Sequence, residues 1–363
     1  MSSLLQTSDY FKCPSCGADM KLDVSSKTAC CDFCNRKDEI TAVNEDIVDL
    51  DFNKTETDAS LNDWGTDVSV VRCAGCGKQS LSASADAPCA FCGSADMTFV
   101  DMLPGLRPDS LIPFKIDVNK AVQLFIRWIK RRRFSPFALK REFKAGNIRG
   151  VYIPYWSYDT NAKSSYTGQA GDYYYDDETS TVTISGKTET KTRRIQKIRW
   201  RFVSGSYDRN FKDIMFNDSA LDQKVLESLE PFRLNELIKY EPRFLQGFYV
   251  ERQSGGLKAV WERARSYMGK AIRTDIQDTI RRGCDVLGKI NINTNFTDVK
   301  YRLMLLPVWI SSYRFRSKTY NFYINGQTGE VQGKSPRSIL KIGGIIVILA
   351  GIITGLCFLL KVF

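Results

Sequence analysis

The chain of 363 residues contains no histidine. Imidazole is the commonest general base in active sites and a frequent zinc ligand. Its absence excludes Ser-His-Asp and Cys-His catalysis and zinc sites with mixed cysteine and histidine ligands. Any metal site in this chain must therefore be built from sulfur or carboxylate ligands.

Other functional patterns are also missing. The segment GCDVLGKI, residues 283–290, has the glycine and lysine spacing of a phosphate-binding loop, but Ile290 stands where that loop needs a serine or threonine for magnesium. No other glycine-rich or paired-carboxylate pattern stands out, so the sequence predicts a protein without enzymatic activity. Its first residues, MSSLLQTSDYFKC, lack the basic and apolar regions of a secretory signal peptide.

Cysteine, in contrast, occurs 11 times. Eight cysteines form four CxxC pairs, with 14 residues between the first two pairs and 12 between the last two. Both spacings are typical of zinc ribbons, in which two CxxC turns complete a tetrahedron of thiolates around one metal. The sequence therefore predicts two structural zinc ions per chain, with the ligands Cys13, Cys16, Cys31, Cys34, Cys73, Cys76, Cys89 and Cys92.

Three cysteines remain outside this set. Cys30 is an alternative ligand to Cys31, and we prefer Cys31 because it gives the same CxxC turn as the other pairs. Cys284 is interpreted as a small buried side chain and Cys357 as a lipid-facing one. Disulfides are disfavoured because the cytoplasm, the compartment predicted below, keeps thiols reduced.

The C-terminal region contains a long apolar run. Residues 342–360 are 19 residues without a charge, which at about 1.5 Å per residue reach roughly 28 Å, close to the hydrocarbon thickness of a bilayer. Three cations, Lys334, Arg337 and Lys341, precede the run, and by the positive-inside rule they keep the preceding chain in the cytoplasm. We expect a tail-anchored, single-pass protein of the cell membrane.

This predicted span contains a GxxxG motif. Gly351 and Gly355 would let two helix backbones approach closely, which favours self-association of the span. Glycine is common in membrane helices, so a chance occurrence is the alternative.

Positive charge is concentrated in one segment. Ten bases and one acid between residues 118 and 149 carry +9 of the net charge of +11. The pattern predicts a helix that is capped by Asp117 and ends near Arg133, followed by a second helix from Ser135. The segment is either the charged surface of a helical hairpin or a binding site for an anionic surface, phospholipid or nucleic acid. Its candidate contacts are Lys130, Arg131, Arg132, Arg133, Lys140 and Arg141.

The sequence predicts an α+β protein with two small N-terminal zinc ribbons, a mixed helix and antiparallel-sheet body, and one C-terminal transmembrane helix. The expected divisions are zinc ribbon 1 (1–43), an acidic linker (44–67), zinc ribbon 2 (68–100), a connector with the basic helical segment (101–149), the α+β body (150–335) and the transmembrane helix (342–360).

Within the body, several elements can be predicted. The segment KIRWRF alternates Lys197, Arg199 and Arg201 with apolar residues, which predicts a strand with one exposed and one buried face, and GDYYYDDET is a candidate partner strand. Helical periodicity marks residues 257–282, and a further helical stretch is expected around 220–238. The Asn325-Gly326 pair predicts the turn of a closing hairpin.

Several segments together resemble a prokaryotic family of membrane-anchored double zinc-ribbon proteins. They are RCAGCGKQS, RPDSLIPFKID, FIRWIKRRRFSPFALKR, GVYIPYWSYD and LPVWISSYRF. Members are often labelled TFIIB-type zinc-ribbon-containing proteins or primosomal protein N-prime. The resemblance implies a membrane-anchored partner of membrane-stress proteins, including PspA-type and SPFH-type scaffolds.

Two functions are compatible with these features. The first is a non-enzymatic adaptor that holds cytoplasmic proteins at the inner face of the membrane. The second is a membrane-tethered nucleic-acid-binding zinc-ribbon protein that uses residues 131–133 and the basic face of KIRWRF. The anchor favours the first, and so does the lack of a recognisable base-stacking motif.

Overall fold

The computed structural model describes residues 13–18, 20–24, 26, 28–40, 47–53, 64, 69–82, 88–101, 105–132, 148–184, 187–219, 221, 223–315, 318–335 and 349–356. The strands are β1 (Met20–Asp23), β2 (Thr28–Cys31), β3 (Lys37–Glu39), β4 (Leu50–Asp51), β5 (Ser69–Cys73), β6 (Gln79–Ser82), β7 (Met97–Val100), β8 (Ser110–Leu111), β9 (Arg149–Ile184), β10 (Lys187–Asn217), β11 (Ile238–Lys239), β12 (Tyr249–Glu251), β13 (Val286–Phe315), β14 (Lys318–Asn325) and β15 (Val331–Gly333). The helices are α1 (Val118–Arg131), α2 (Gln223–Glu227) and α3 (Gly256–Arg281), with short 3-10 turns at Leu234–Glu236 and Pro242–Leu245.

The strands form two sheets. Strands β1, β2 and β3 make a small antiparallel sheet, and the other strands make a 12-stranded sheet with the central order β11-β8-β13-β9-β12-β6-β5-β7. Four more strands belong to that sheet outside this order: β10 pairs with β9, β14 and β4 pair with β13, and β15 pairs with β14. Two joins, β9 with β12 and β13 with β8, are parallel, so the large sheet is mixed. The predicted α+β class is confirmed, with sheet as the dominant component.

Strands β9, β10 and β13 are much longer than ordinary strands. The predicted pairing of KIRWRF with GDYYYDDET is confirmed, with Lys197 opposite Tyr174 in an antiparallel ladder. The ladder between β9 and β13 ends at Gly171 and Val286. Beyond this point, among the described residues, the last 13 residues of β9 pair with β10 alone, which makes a two-stranded hairpin roughly 40 Å long.

The helices follow the sequence pattern in two of three cases. Helix α1 begins where predicted, and the Asp117 carboxylate caps it by accepting a 2.8 Å hydrogen bond from the Lys120 amide. Helix α3 confirms the periodicity of residues 257–282. The helix expected around 220–238 is largely wrong, because the described residues of that range form only α2 and one 3-10 turn as helical elements. Pro231 lacks the N–H that a continuous helix would need. The helix predicted from Ser135 lies outside the described residues.

Helix α3 covers one face of the long strands. Its buried side chains pack on Ala162, Ala170 and Tyr158 of β9. The buried Asp218 carboxylate accepts hydrogen bonds from the amides of residues 254–256 and from the Trp156 indole. This carboxylate therefore fixes the first turn of α3 against the sheet.

The C-terminal region is described only in part. Residues 349–356 are helical, and the remainder of the predicted span lies outside the described residues. Within the portion of the chain that is described, no helix has the length and apolar character needed to traverse a bilayer.

Candidate metal centres

The first four cysteines converge on one point. The sulfur atoms of Cys13 and Cys34 are 3.5 Å apart, as are those of Cys16 and Cys31, and all four lie within 4.8 Å of one another. Thiolates placed tetrahedrally about 2.3 Å from a zinc ion are about 3.8 Å apart. The cluster is therefore compatible with one structural zinc ion.

The last four cysteines repeat this geometry. The sulfur atoms of Cys73 and Cys92 are 3.5 Å apart, and those of Cys76 and Cys89 are 3.6 Å apart. In each cluster the first cysteine of every pair is buried and the second is exposed. The second cluster is thus also compatible with one structural zinc ion, so the eight predicted ligands are brought together as two sets of four.

The four CxxC turns share one backbone conformation. The residue after each second cysteine has a positive φ, and its amide donates to the carbonyl of the first cysteine; these residues are Gly17 (φ 72°), Asn35 (57°), Gly77 (74°) and Gly93 (80°). Glycine and, next, asparagine tolerate this left-handed conformation best. The sequence pattern therefore has a direct backbone cause.

The choice between adjacent cysteines is resolved in favour of Cys31. Cys30 lies outside the cluster, with its sulfur 3.5 Å from the Thr28 hydroxyl. All described cysteines are free of disulfides. Cys284 is half-buried and its thiol donates to the Ile280 carbonyl, while Cys357 lies outside the described residues.

The second cluster is built into the large sheet. Strand β6, beside this cluster, pairs with β12 of the body. The Arg149 guanidinium, at the start of β9, donates a 2.9 Å hydrogen bond to the Cys89 carbonyl 60 residues away. Sequence reasoning assigned Arg149 to the basic segment and missed this role, because no local pattern links residues so far apart.

A second cation accompanies this cluster. The Lys78 ammonium lies 4.2 Å from the centre of the Phe91 ring, inside the CAFC turn. Burial lowers the pKa of Lys78, whereas the Glu251 carboxylate and the cluster thiolates raise it. Burial also raises the pKa of the Cys89 thiol, so its thiolate form depends on positive charge at the cluster.

The first cluster lies on a separate sheet, although Met20 and Ile40 beside it pack into the same hydrophobic core as Leu245 of the body. Strand β1 contacts the body through a 3.4 Å hydrogen bond from the Leu22 amide to the Gln246 carbonyl. On its outer side, Arg36 donates to the Ser15 hydroxyl and forms an ion pair with Asp38. Phe33, in the CDFC turn, is 81% exposed.

The predicted anionic-surface residues are described in part. Lys130, Arg131 and Arg132 are exposed at the C-terminal end of α1, and the Arg132 guanidinium lies 4.5 Å from the centre of the Trp128 ring. Arg133, Lys140 and Arg141 lie outside the described residues. Of the predicted span, Gly351 and Gly355 lie in the helical residues 349–356, with open space beside both.

The basic face of KIRWRF is already paired. The Lys197 ammonium is 2.8 Å from Asp176 and 3.1 Å from Glu178, both on the partner strand β9. The Arg201 guanidinium is 3.6 Å from Asp172, and Arg199 lies over the Tyr174 ring. The acids of GDYYYDDET thus balance much of this positive charge.

The apolar face of KIRWRF is not buried, and this prediction is wrong. Ile198 is 37%, Trp200 45% and Phe202 88% exposed. Helix α3 packs on the opposite face of the sheet, the face of Ala170 and Val203. Alternation alone predicts which residues share a face, but it cannot predict which face a helix covers.

Comparison with known proteins gives one informative similarity. The chain is 26% identical over 330 residues to YdjG of Bacillus subtilis (strain 168), an uncharacterized protein, and the match covers 90% of both chains. No family model and no solved structure matches the chain. The chain is therefore similar, over nearly its whole length, to an uncharacterized relative, and its two cysteine clusters fit zinc ribbons.

Proposed function

We propose that this protein is a non-enzymatic docking platform tethered to the cytoplasmic face of the cell membrane. The observation that carries the proposal is the exposure of Phe33 at the tip of the first cluster. Exposed aromatic side chains on a rigid support are typical anchors of protein interfaces. A site closed by four thiolates has no open coordination position, so the two zinc ions that we assign to the clusters have a structural role.

The partners that we propose are PspA-type and SPFH-type scaffold proteins. The support is the family resemblance of the sequence. To test this, tagged full-length protein is purified from nuclease-treated detergent extracts, and co-purified scaffold proteins are quantified by mass spectrometry. Phe33→Ser should reduce their recovery about tenfold, because loss of one anchor residue commonly has this effect.

The matched control is Phe99→Ser, which changes another exposed phenylalanine, 56% accessible on β7 of the second cluster. It should leave recovery unchanged. If the unmodified chain, Phe33→Ser and Phe99→Ser recover equal amounts of the scaffold proteins, docking through Phe33 is contradicted. If neither scaffold type is recovered with the unmodified chain, the proposed partners are contradicted.

The proposed tether is the apolar run at residues 342–360. Its support is the length of the run and the cations that precede it. The full chain should stay with membranes during alkaline carbonate extraction, whereas a chain that ends at Ser338 should be released. Release of the full chain would contradict the tether.

For the basic segment we propose contact with anionic headgroups. Lys130, Arg131 and Arg132 are exposed at one helix end, and each cation close to an anionic leaflet contributes about 1 kcal/mol. The chain that ends at Ser338 should bind anionic vesicles better than neutral ones, and less well at high salt. Charge reversal of residues 130–133 should abolish that preference.

Nucleic-acid binding is the alternative function. It receives less support, because acids of β9 pair with Lys197 and Arg201. DNA binding that is tight, lost on charge reversal of residues 130–133 and unmatched on vesicles would favour this alternative.

A further inference from the structure

The hairpin formed by β9 and β10 has two unlike faces. One face continues the helix-covered side of the sheet and carries the paired charges around Lys197. The other face carries five exposed apolar or aromatic side chains, which we call the aromatic face. They are Tyr173 (46% exposed), Tyr175 (57%), Ile198 (37%), Trp200 (45%) and Phe202 (88%).

The aromatic face is contiguous and its central ring is held in place. Tyr173 is opposite Ile198, and Trp200 is opposite Gly171. A Cβ atom at Gly171 or at Gly288 would lie 3.1 Å from a ring carbon of Trp200, so the indole packs closely against both glycines. A ring fixed in this way loses little conformational entropy when it is covered by a partner.

The charges on this face are balanced. Between residues 163–177 and 194–208, the same side of the hairpin exposes Lys163, Arg194, Asp177 and Asp208, two of each sign. An anionic membrane or a nucleic acid would call for a clear excess of cations. The same face on a second copy of the chain also has balanced charges, so two such faces can meet without an excess of either sign.

The area of the aromatic face suits a reversible pair. Four aromatic side chains of about 200 Å² each, roughly half exposed, offer on the order of 450 Å² per copy. Two copies would then bury about 900 Å² of aromatic surface in total. Flanking polar residues add to this area and bring it toward about 1,200 Å², the lower limit of specific interfaces. The expected association is therefore concentration-dependent.

We propose that the aromatic face is the contact surface between two copies of this chain. A two-stranded hairpin is only marginally stable by itself. Two hairpins packed face to face at about 10 Å form a four-stranded sandwich that buries the aromatic side chains of both. This contact is separate from the proposed docking through Phe33 and from the proposed span.

Photo-crosslinking in cells tests the contact in the full chain. A benzoylphenylalanine is placed at position 175, on the aromatic face, or at position 174, on the opposite face of the same strand. Position 175 should give a product of twice the chain mass and position 174 should not. Equal products from both positions, or a product with lipid or another protein only at position 175, would overturn the proposal.

Purified protein provides the second measurement. Sedimentation of the zinc-loaded full chain in mild detergent should show reversible dimers, and Trp200→Ser with Phe202→Ser should weaken them at least about tenfold. The matched control, Lys197→Ser with Arg199→Ser on the opposite face, should leave them intact. All proteins carry Gly351→Ile and Gly355→Ile, which removes association through the span. A dimer that survives the aromatic substitutions, or a chain that is monomeric at all concentrations, refutes the proposal.

Discussion

The two cysteine clusters have the same ligand geometry but different attachments to the molecule. Each cluster has one CxxC turn with a phenylalanine at its third position, and the exposure of that side chain differs between the clusters. Phe33 of CDFC is 81% exposed, whereas Phe91 of CAFC is 6% exposed. The first cluster lies on its own three-stranded sheet, and the strands beside the second belong to the large sheet.

This difference indicates a division of roles. A metal in the second cluster would hold together strands that continue into the body through β6 and β12. A metal in the first cluster would stabilise a small module that presents Phe33. The same turn can therefore serve the stability of the body in one place and the display of a side chain in another.

The largest expected effect comes from removing one ligand of each cluster. Cys89→Ser should lower the free energy of unfolding of the body by about 4 kcal/mol or more, because metal binding and folding are coupled there. Cys31→Ser should lower it by less, about 2 kcal/mol, because its strands form a separate sheet that meets the body through side-chain packing. Urea unfolding followed by the fluorescence of the buried Trp156 and Trp309 gives both values.

Zinc content supplies the control for this pair. Elemental analysis should find two zinc ions in the unmodified chain and one in each variant. Cys30→Ser, next to a ligand but outside the cluster, should keep two. If both ligand substitutions destabilise the body equally, the two clusters are attached alike and the comparison fails.

A smaller effect is expected from the two phenylalanines. Phe91→Ala should cost about 3 kcal/mol, because it leaves a cavity beneath the Lys78 ammonium. Phe33→Ala should change stability by no more than about 0.5 kcal/mol, since its ring is in solvent. Thermal or urea unfolding of both variants measures the contrast. A large loss with Phe33→Ala would mean that its ring is covered in the protein in solution.

The sequence predicted the ligands but not these attachments. The ligand spacing and the glycine or asparagine after each pair are local features, so the sequence alone identifies both clusters. The β6–β12 pairing and the hydrogen bond from Arg149 to Cys89 join segments far apart in the chain, and no periodicity reports them. For the same reason, the alternation of KIRWRF predicted the strand and its partner but not the face that α3 covers.

The smallest predicted effect concerns pH and the sheet that holds the second cluster. Asp109 precedes β8, and its carboxylate accepts a 3.0 Å hydrogen bond from the Leu303 amide of β13. Burial raises the pKa of this carboxyl to about 6, although the Leu303 amide and nearby arginines oppose the shift. The same carboxyl lines a cavity of about 400 Å³ with Arg107 and Tyr240.

The sign of the pH effect follows from the raised pKa. Between the unfolded pKa near 4 and the folded pKa near 6, the folded chain binds more protons at Asp109, so this group lowers stability as pH rises. Asp109→Asn keeps an acceptor for the Leu303 amide but carries no charge. Relative to the unmodified chain, it should be more stable by about 2 kcal/mol at pH 7.5 and by about half of that at pH 5, where the unfolded carboxyl is already ionised. Urea unfolding at both pH values measures this difference. A difference that does not change with pH would show that Asp109 is ionised at both pH values in the folded protein, and that the sheet around the second cluster is more open to water than its packing indicates.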